Sequence, residues 1–145
     1  MKFEDLVRAT ECAYLVSIVR LLGRRGAALR NVMGRVLAEA LEDRVPGDPD
    51  RALREVFDPV AEVEVDGDRV RVRDCKMCAC FLLFDVATEE ELEVIREIRP
   101  CPMLNLFNHI SRVKGWGVRL VPERVPIRGD TEPGSCVLRV ERSEG

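Results

Sequence analysis

The sequence predicts an α+β fold, with N-terminal helices packed on a twisted antiparallel sheet built from two hairpins and two further helices between them. Three observations carry that prediction. Apolar residues recur at helical spacing through the first third of the chain. The period drops to two between Ala61 and Arg73. Two further helical segments then precede a second pair of apolar strands. A chain of 145 residues suits one compact domain over 1–145, large enough to bury a core without metals or disulfides.

Phe3 to Leu22 is rich in helix formers and ends at Gly23, a natural stop. From Ala27 to Asp43, Leu29, Val32, Met33, Val36, Leu37, Ala40 and Leu41 follow i, i+3, i+4 spacing, so this stripe is expected to form one wall of the core. Arg44 to Pro49 reads as a loop, with Asp50 capping a short helix over Ala52–Phe57. The alternation on either side of Asp66-Gly67 signals a hairpin. With those two residues as the turn, Glu64 faces Arg69 and Glu62 faces Arg71, while Val63 meets Val70 and Ala61 meets Val72 on the apolar face.

Cys75–Phe84 reads as a loop and strand. Thr88 to Glu91 is a capping box opening a helix to about Ile98, which Arg99-Pro100-Cys101-Pro102 ends. Pro102 begins a helix to about Lys114, stopped by Gly115, with Met103, Leu106, Phe107, Ile110 and Val113 facing the core. Gly115-Trp116-Gly117 marks a bend. Val118–Val121 and Cys136–Glu141 are two more strands, joined by a loop rich in Pro, Gly and acidic residues.

Composition narrows the function. A net charge of −3 argues against nucleic acid as a partner, and the longest apolar run is far too short to span a bilayer. Met1 to Asp5 has neither the basic start nor the apolar core of a signal peptide, so the expected location is the cytoplasm, where thiols stay reduced. There is no glutamine, and twenty arginines stand against three lysines. That balance points to a high-temperature source or to codon bias.

Six cysteines carry the chemistry. Cys75, Cys78 and Cys80 have C-x2-C-x-C spacing, which can direct two or three thiolates at one ion. Cys101, Cys136 or His109 could complete the set for zinc or an iron–sulfur cluster. The competing reading makes Cys78 and Cys80 small hydrophobes on one face of a core strand. Cys101 sits at the start of a helix, where N–H groups and the dipole would lower its pKa, which makes it the leading reactive thiol. His109, the sole histidine, lies about 12 Å along that helix from Cys101, too far for a dyad, and defaults to a polar surface position. Cys12 reads as a core thiol.

Cys101-Pro102 opening a helix, Gly115-x-Gly117 before a strand, Arg128-Gly129-Asp130, and Cys136-Val137-Leu138-Arg139-Val140 together resemble the 4-vinyl-reductase domain family. The helix carrying Leu29-Arg30 and Gly34 and the cysteine segment after the first hairpin are also similar. The chain departs from the family in the longer spacing, Thr131 to Ser135, before Cys136. The resemblance implies a helix-packed antiparallel sheet, a fold shared with vesicle-tethering (TRAPP-type) subunits and aminothiazoline-carboxylate hydrolase-like proteins. It further implies a small-molecule, often hydrocarbon-binding, sensor domain that pairs as a homodimer through helices, and archaeal members commonly stand alone. By the same resemblance, Cys75, Cys78, Cys101 and Cys136 are metal or ligand contacts.

Three functions follow as expectations. The first is a binding domain with an apolar pocket lined by Met33, Phe81, Phe107 and Trp116 and rimmed by cysteines. The second is a metalloprotein with zinc or a cluster on Cys75, Cys78, Cys80 and Cys101 or Cys136. The third is an enzyme with a cysteine nucleophile, which a single histidine makes demanding.

Overall fold

The computed structural model describes residues 1–98 and 101–143. Helices α1 (Phe3–Leu22), α2 (Gly26–Leu41) and α3 (Pro49–Phe57) precede strands β1 (Glu62–Asp66) and β2 (Arg69–Arg73). Helices α4 (Cys80–Val86), α5 (Glu89–Glu97) and α6 (Pro102–Lys114) then lead to β3 (Val118–Arg124) and β4 (Cys136–Arg142). The class is α+β, and all three strand pairs, in the order β1-β2-β4-β3, are antiparallel. Three helices, not two, separate the strand pairs. Among the described residues no helix is long and apolar enough to cross a membrane.

Local signals set most boundaries. Gly23 turns the chain at φ 56 after α1, and Gly115 does so at φ 67 after α6. The Thr88–Glu91 capping box starts α5, as its residues require. Its expected terminator, Arg99-Pro100, lies outside the described residues. Asp48, not Asp50, caps α3: its carboxylate accepts from the Asp50 N–H, and Pro49 takes the first helical position.

Four further expectations are corrected. The hairpin turns at Gly67-Asp68, with Gly67 at φ 58, and pairs Glu64 with Arg71 and Val63 with Val72. The expected register is off by two residues. A two-residue slip leaves every side chain on its own face, so alternation could not detect it. The run Cys80–Val86 is helix rather than strand, burying Ala79, Cys80 and Leu83 at helical spacing. Short apolar runs carry no period that separates the two states.

The third correction concerns α2. Its buried side is Gly26, Arg30, Gly34 and Ala38, one residue per turn. The apolar stripe faces outward, with Val32 46% and Val36 55% exposed. Gly26 lies against Ile18 of α1, and a Cβ on Gly34 would come within 2.8 Å of the His109 ring on α6. Arg30 reaches buried Glu11 of α1 at 2.6 Å. Glycines and one buried ion pair, not the aliphatic stripe, therefore seat this helix. The fourth correction follows from it: His109 is buried under α2, while Val113 is exposed.

Two apolar clusters result. One packs the inner sheet face (Val70, Val72, Leu120, Leu138) against α3 and α6, with Phe57 and Phe107 at its centre. The other joins α1 to α4 and α5 through Leu15, Leu83 and Ile95. The cysteine segment spans the junction. Cys75 belongs to the first cluster and Cys80 to the second, while Cys78 packs against both.

Candidate functional site

The site begins where β2 ends. Asp74 takes φ 52, a left-handed conformation that aspartate tolerates better than most residues, and turns the chain off the sheet. The Cys75 N–H donates to the Gly134 carbonyl at 2.9 Å, and the Lys76 N–H donates to the Val60 carbonyl at 2.8 Å. A tight turn follows, with the Cys78 N–H donating to the Cys75 carbonyl at 3.4 Å, before α4 starts at Cys80. Cys101 comes in from the start of α6, and Cys136 from the first residue of β4, opposite Val72 of β2.

These three segments close one cavity of about 90 Å³, and all five of Cys75, Cys78, Cys80, Cys101 and Cys136 line it. Its other walls are mostly apolar: Phe57, Val72, Leu104 and Leu138 on the sheet side, and Val125 and Ile127 from the β3–β4 connection. Cys12, as expected, is a core thiol on α1 and takes no part.

The expected apolar ligand residues are elsewhere. None of Met33, Phe81, Phe107 and Trp116 lines this cavity. Met33 is half-buried on α2. Phe107 is fully buried in the sheet cluster with Trp116 tilted against it, ring centroids 6.2 Å apart. Phe81 lies partly exposed on α4 beneath the Arg8 guanidinium, 3.8 Å from the ring centroid. Aromatic rings are the natural choice for a pocket, but Phe107 and Trp116 are consumed by the core and Phe81 is turned outward, and the ring that does line the cavity is Phe57.

The thiols are electrostatically unequal. Burial raises Cys75 and Cys136, and pushes Cys101 up to about 12 despite N–H groups of Leu104 and Met103 at its sulfur. The expectation that Cys101 is the activated thiol is thereby reversed, because desolvation of a buried thiolate outweighs a helix start. Cys78 is the exception. The Cys80 thiol donates to it, as do the N–H groups of Gly134 and Cys80, and the Arg8 cation adds to these, lowering it to about 6. The same hydrogen bond raises Cys80, which keeps its proton.

Two residues of this site escaped sequence reasoning. Arg8 arrives from α1, donates to the Cys75 carbonyl at 3.4 Å and ion-pairs with Asp74 at 4.0 Å. No local signal marks it. Gly134 offered one, the Pro133-Gly134 turn dipeptide just before Cys136. Its φ of 87 suits glycine, and a Cβ there would press to 3.0 Å from the Phe81 ring.

For a metal, the thiols share a cavity but not a coordination sphere: among the described residues no group of three or more His, Cys, Asp or Glu side chains is placed to hold an ion. His109 belongs to a different, polar cleft with Arg30, Asn105 and Arg112. Comparison with protein-family models, with curated proteins and with solved structures found no match.

Proposed function

We propose that this chain binds a small, mainly apolar molecule in the cysteine-lined cavity at the junction of its two cores. The observation that carries the reading is convergence: five thiols from three separated segments line one cavity with mostly apolar walls. Random placement of core cysteines would not gather them. The volume of about 90 Å³ sets the ligand size, since a dry cavity of about 150 Å³ accommodates benzene. The ligand therefore has only a few heavy atoms. The likeness to 4-vinyl-reductase domains, which rests on sequence motifs alone, points to the same class of function.

The test is a titration with butan-2-one, followed by amide chemical shifts. Saturable shifts at Val72, Leu104, Cys136 and their neighbours are expected, and Ala79→Leu, which fills the cavity, should abolish them. Unsaturable or scattered shifts in the parent chain would sink the reading. Elemental analysis of anaerobically prepared protein belongs beside it. One equivalent of zinc or iron held by the thiols would replace the small-molecule reading with the metalloprotein one.

The same proposal includes a homodimer through α2. What supports it is the outward stripe of Leu29, Val32, Val36 and Leu37, together with the polarity of its flanks. Arg25 stands at the N-terminal end and Glu39, Glu42 and Asp43 toward the C-terminal end, with Arg35 between them. Two copies about a two-fold axis lay α2 antiparallel, which sets opposite charges together. A parallel arrangement opposes like charges.

A further inference from the structure

We propose that the polar cleft between α2, α5 and α6 is a second ligand site, which holds the carboxylate of a small organic acid. The cleft lies apart from the cysteine cavity and does not depend on what that cavity binds. The first support is where the chain places its amides. The sequence has three asparagines, no glutamine and one histidine, and all four of those residues line this one cleft. Asparagine favours turns and caps, because its side chain competes with the helical backbone for hydrogen bonds. Here Asn31 lies within α2, and Asn105 and Asn108 lie within α6. Asn108 has a local reason to be there. Its amide donates to the Leu120 carbonyl at 3.0 Å and accepts from the Leu120 N–H at 2.8 Å, which ties α6 to β3. Asn31 and Asn105 line the cleft from its two long walls, α2 and α6.

The walls are held in place and their charges are unequal. Gly34 sets α2 so close to α6 that a Cβ there would stand 2.8 Å from the His109 ring and 3.2 Å from the Asn105 Cβ, so both side chains are braced from one side. Burial and the charges of Arg112 and Arg35 lower the His109 pKa, so the imidazole meets a ligand as a neutral hydrogen-bonding group. Two of the charges in the lining are already matched, Arg30 by Glu11 at 2.6 Å and Glu97 by Arg24 at 2.9 Å. Arg112 has no ion pair among the described residues. One uncompensated guanidinium beside amides and a neutral imidazole matches one negative charge, and its planar fork matches a carboxylate in shape. A phosphate dianion would call for a second such cation, and Arg35, though near His109, does not line the cleft. The cleft holds about 190 Å³, a little above the roughly 150 Å³ that accommodates benzene, which suits an acid of roughly six to eight heavy atoms.

The experiment adds sodium lactate at fixed ionic strength and pH 8, and follows the His109 ring protons and the side-chain amide protons by NMR. Composition keeps those signals few, with one imidazole and three amide pairs in the whole chain. Saturable shifts are expected at His109, Asn31 and Asn105, with the backbone amides of Val72 and Cys136 in the cysteine cavity unmoved. Lactamide, the neutral isostere, should bind at least about tenfold more weakly. Arg112→Met should weaken lactate binding by about tenfold or more, as loss of a charge-assisted hydrogen bond does, and Arg112→Lys should restore part of it. Arg112 and Asn31 are both exposed, so Arg112→Met and Asn31→Ala should melt with the parent chain while each binds lactate more weakly. No saturable shift with lactate or with butyrate overturns the proposal. Equal binding of lactamide, or unchanged binding by Arg112→Met, does the same. Inorganic phosphate binding more tightly than lactate would overturn the carboxylate assignment. Shifts confined to Val72, Leu104 and Cys136 would put the acid in the cysteine cavity and overturn the second site.

Discussion

Helices α2 and α6 have similar apolar periodicity and use it in opposite ways. In α6 the stripe of Leu106, Phe107 and Ile110 turns inward and forms the middle of the sheet cluster. In α2 the stripe turns outward, and the inward face holds two glycines, an alanine and an arginine. Periodicity reports that a helix has an apolar face. It does not report which neighbour that face meets. What separates the two helices is close approach: Gly34 lets α2 sit against His109 and Asn105 of α6, and buried Glu11 gives Arg30 a partner that makes its burial tolerable.

The contrast can be broken at its strongest point first. Phe107→Ala should lower stability by about 3–5 kcal/mol in urea unfolding, through lost burial and a cavity beside Trp116. A loss below about 1 kcal/mol would mean that α6 does not anchor the core as its stripe requires.

Gly34→Ala tests the seat of α2. The added methyl meets the His109 ring at 2.8 Å, a steric cost of about 1–3 kcal/mol, against about 1 kcal/mol gained from alanine in a helix interior. A net loss of about 1 kcal/mol is expected by thermal melting, and a net gain would show that His109 yields freely.

The smallest effect on folding is expected at the outward stripe. Val36→Glu should change the monomer's stability by less than about 0.5 kcal/mol, as exposed substitutions do. Its readout is association. Light scattering after size exclusion should find a dimer in the parent chain and a monomer in the variant. Monomers in both would remove the antiparallel pairing.

Much of the framework was legible beforehand because local chemistry specifies it. Gly23 and Gly115 as stops, the Thr88 capping box and the alternation of β1 and β2 act within a few residues. The site was half legible. Cys75, Cys78, Cys80, Cys101 and Cys136 could be nominated, since clustered cysteines are rarely filler, and they do line one cavity. Their ranking was not legible. Cys101 carried the stronger sequence signal, a helix start, yet burial raises it, while Cys78 is lowered first by its neighbour Cys80 and then by Gly134 and Arg8, which are distant in sequence.

By itself the sequence determined the class of fold, where most elements begin and end, and which thiols were worth watching. These depend on caps, turns and periods, whose range is one or two turns of chain. Tertiary structure alone decided the register of the first hairpin, the face on which α2 is buried, the helical state of Cys80–Val86, and which thiols burial raises. Each of those depends on desolvation or on a contact between distant segments. Neither quantity exists until the chain has packed.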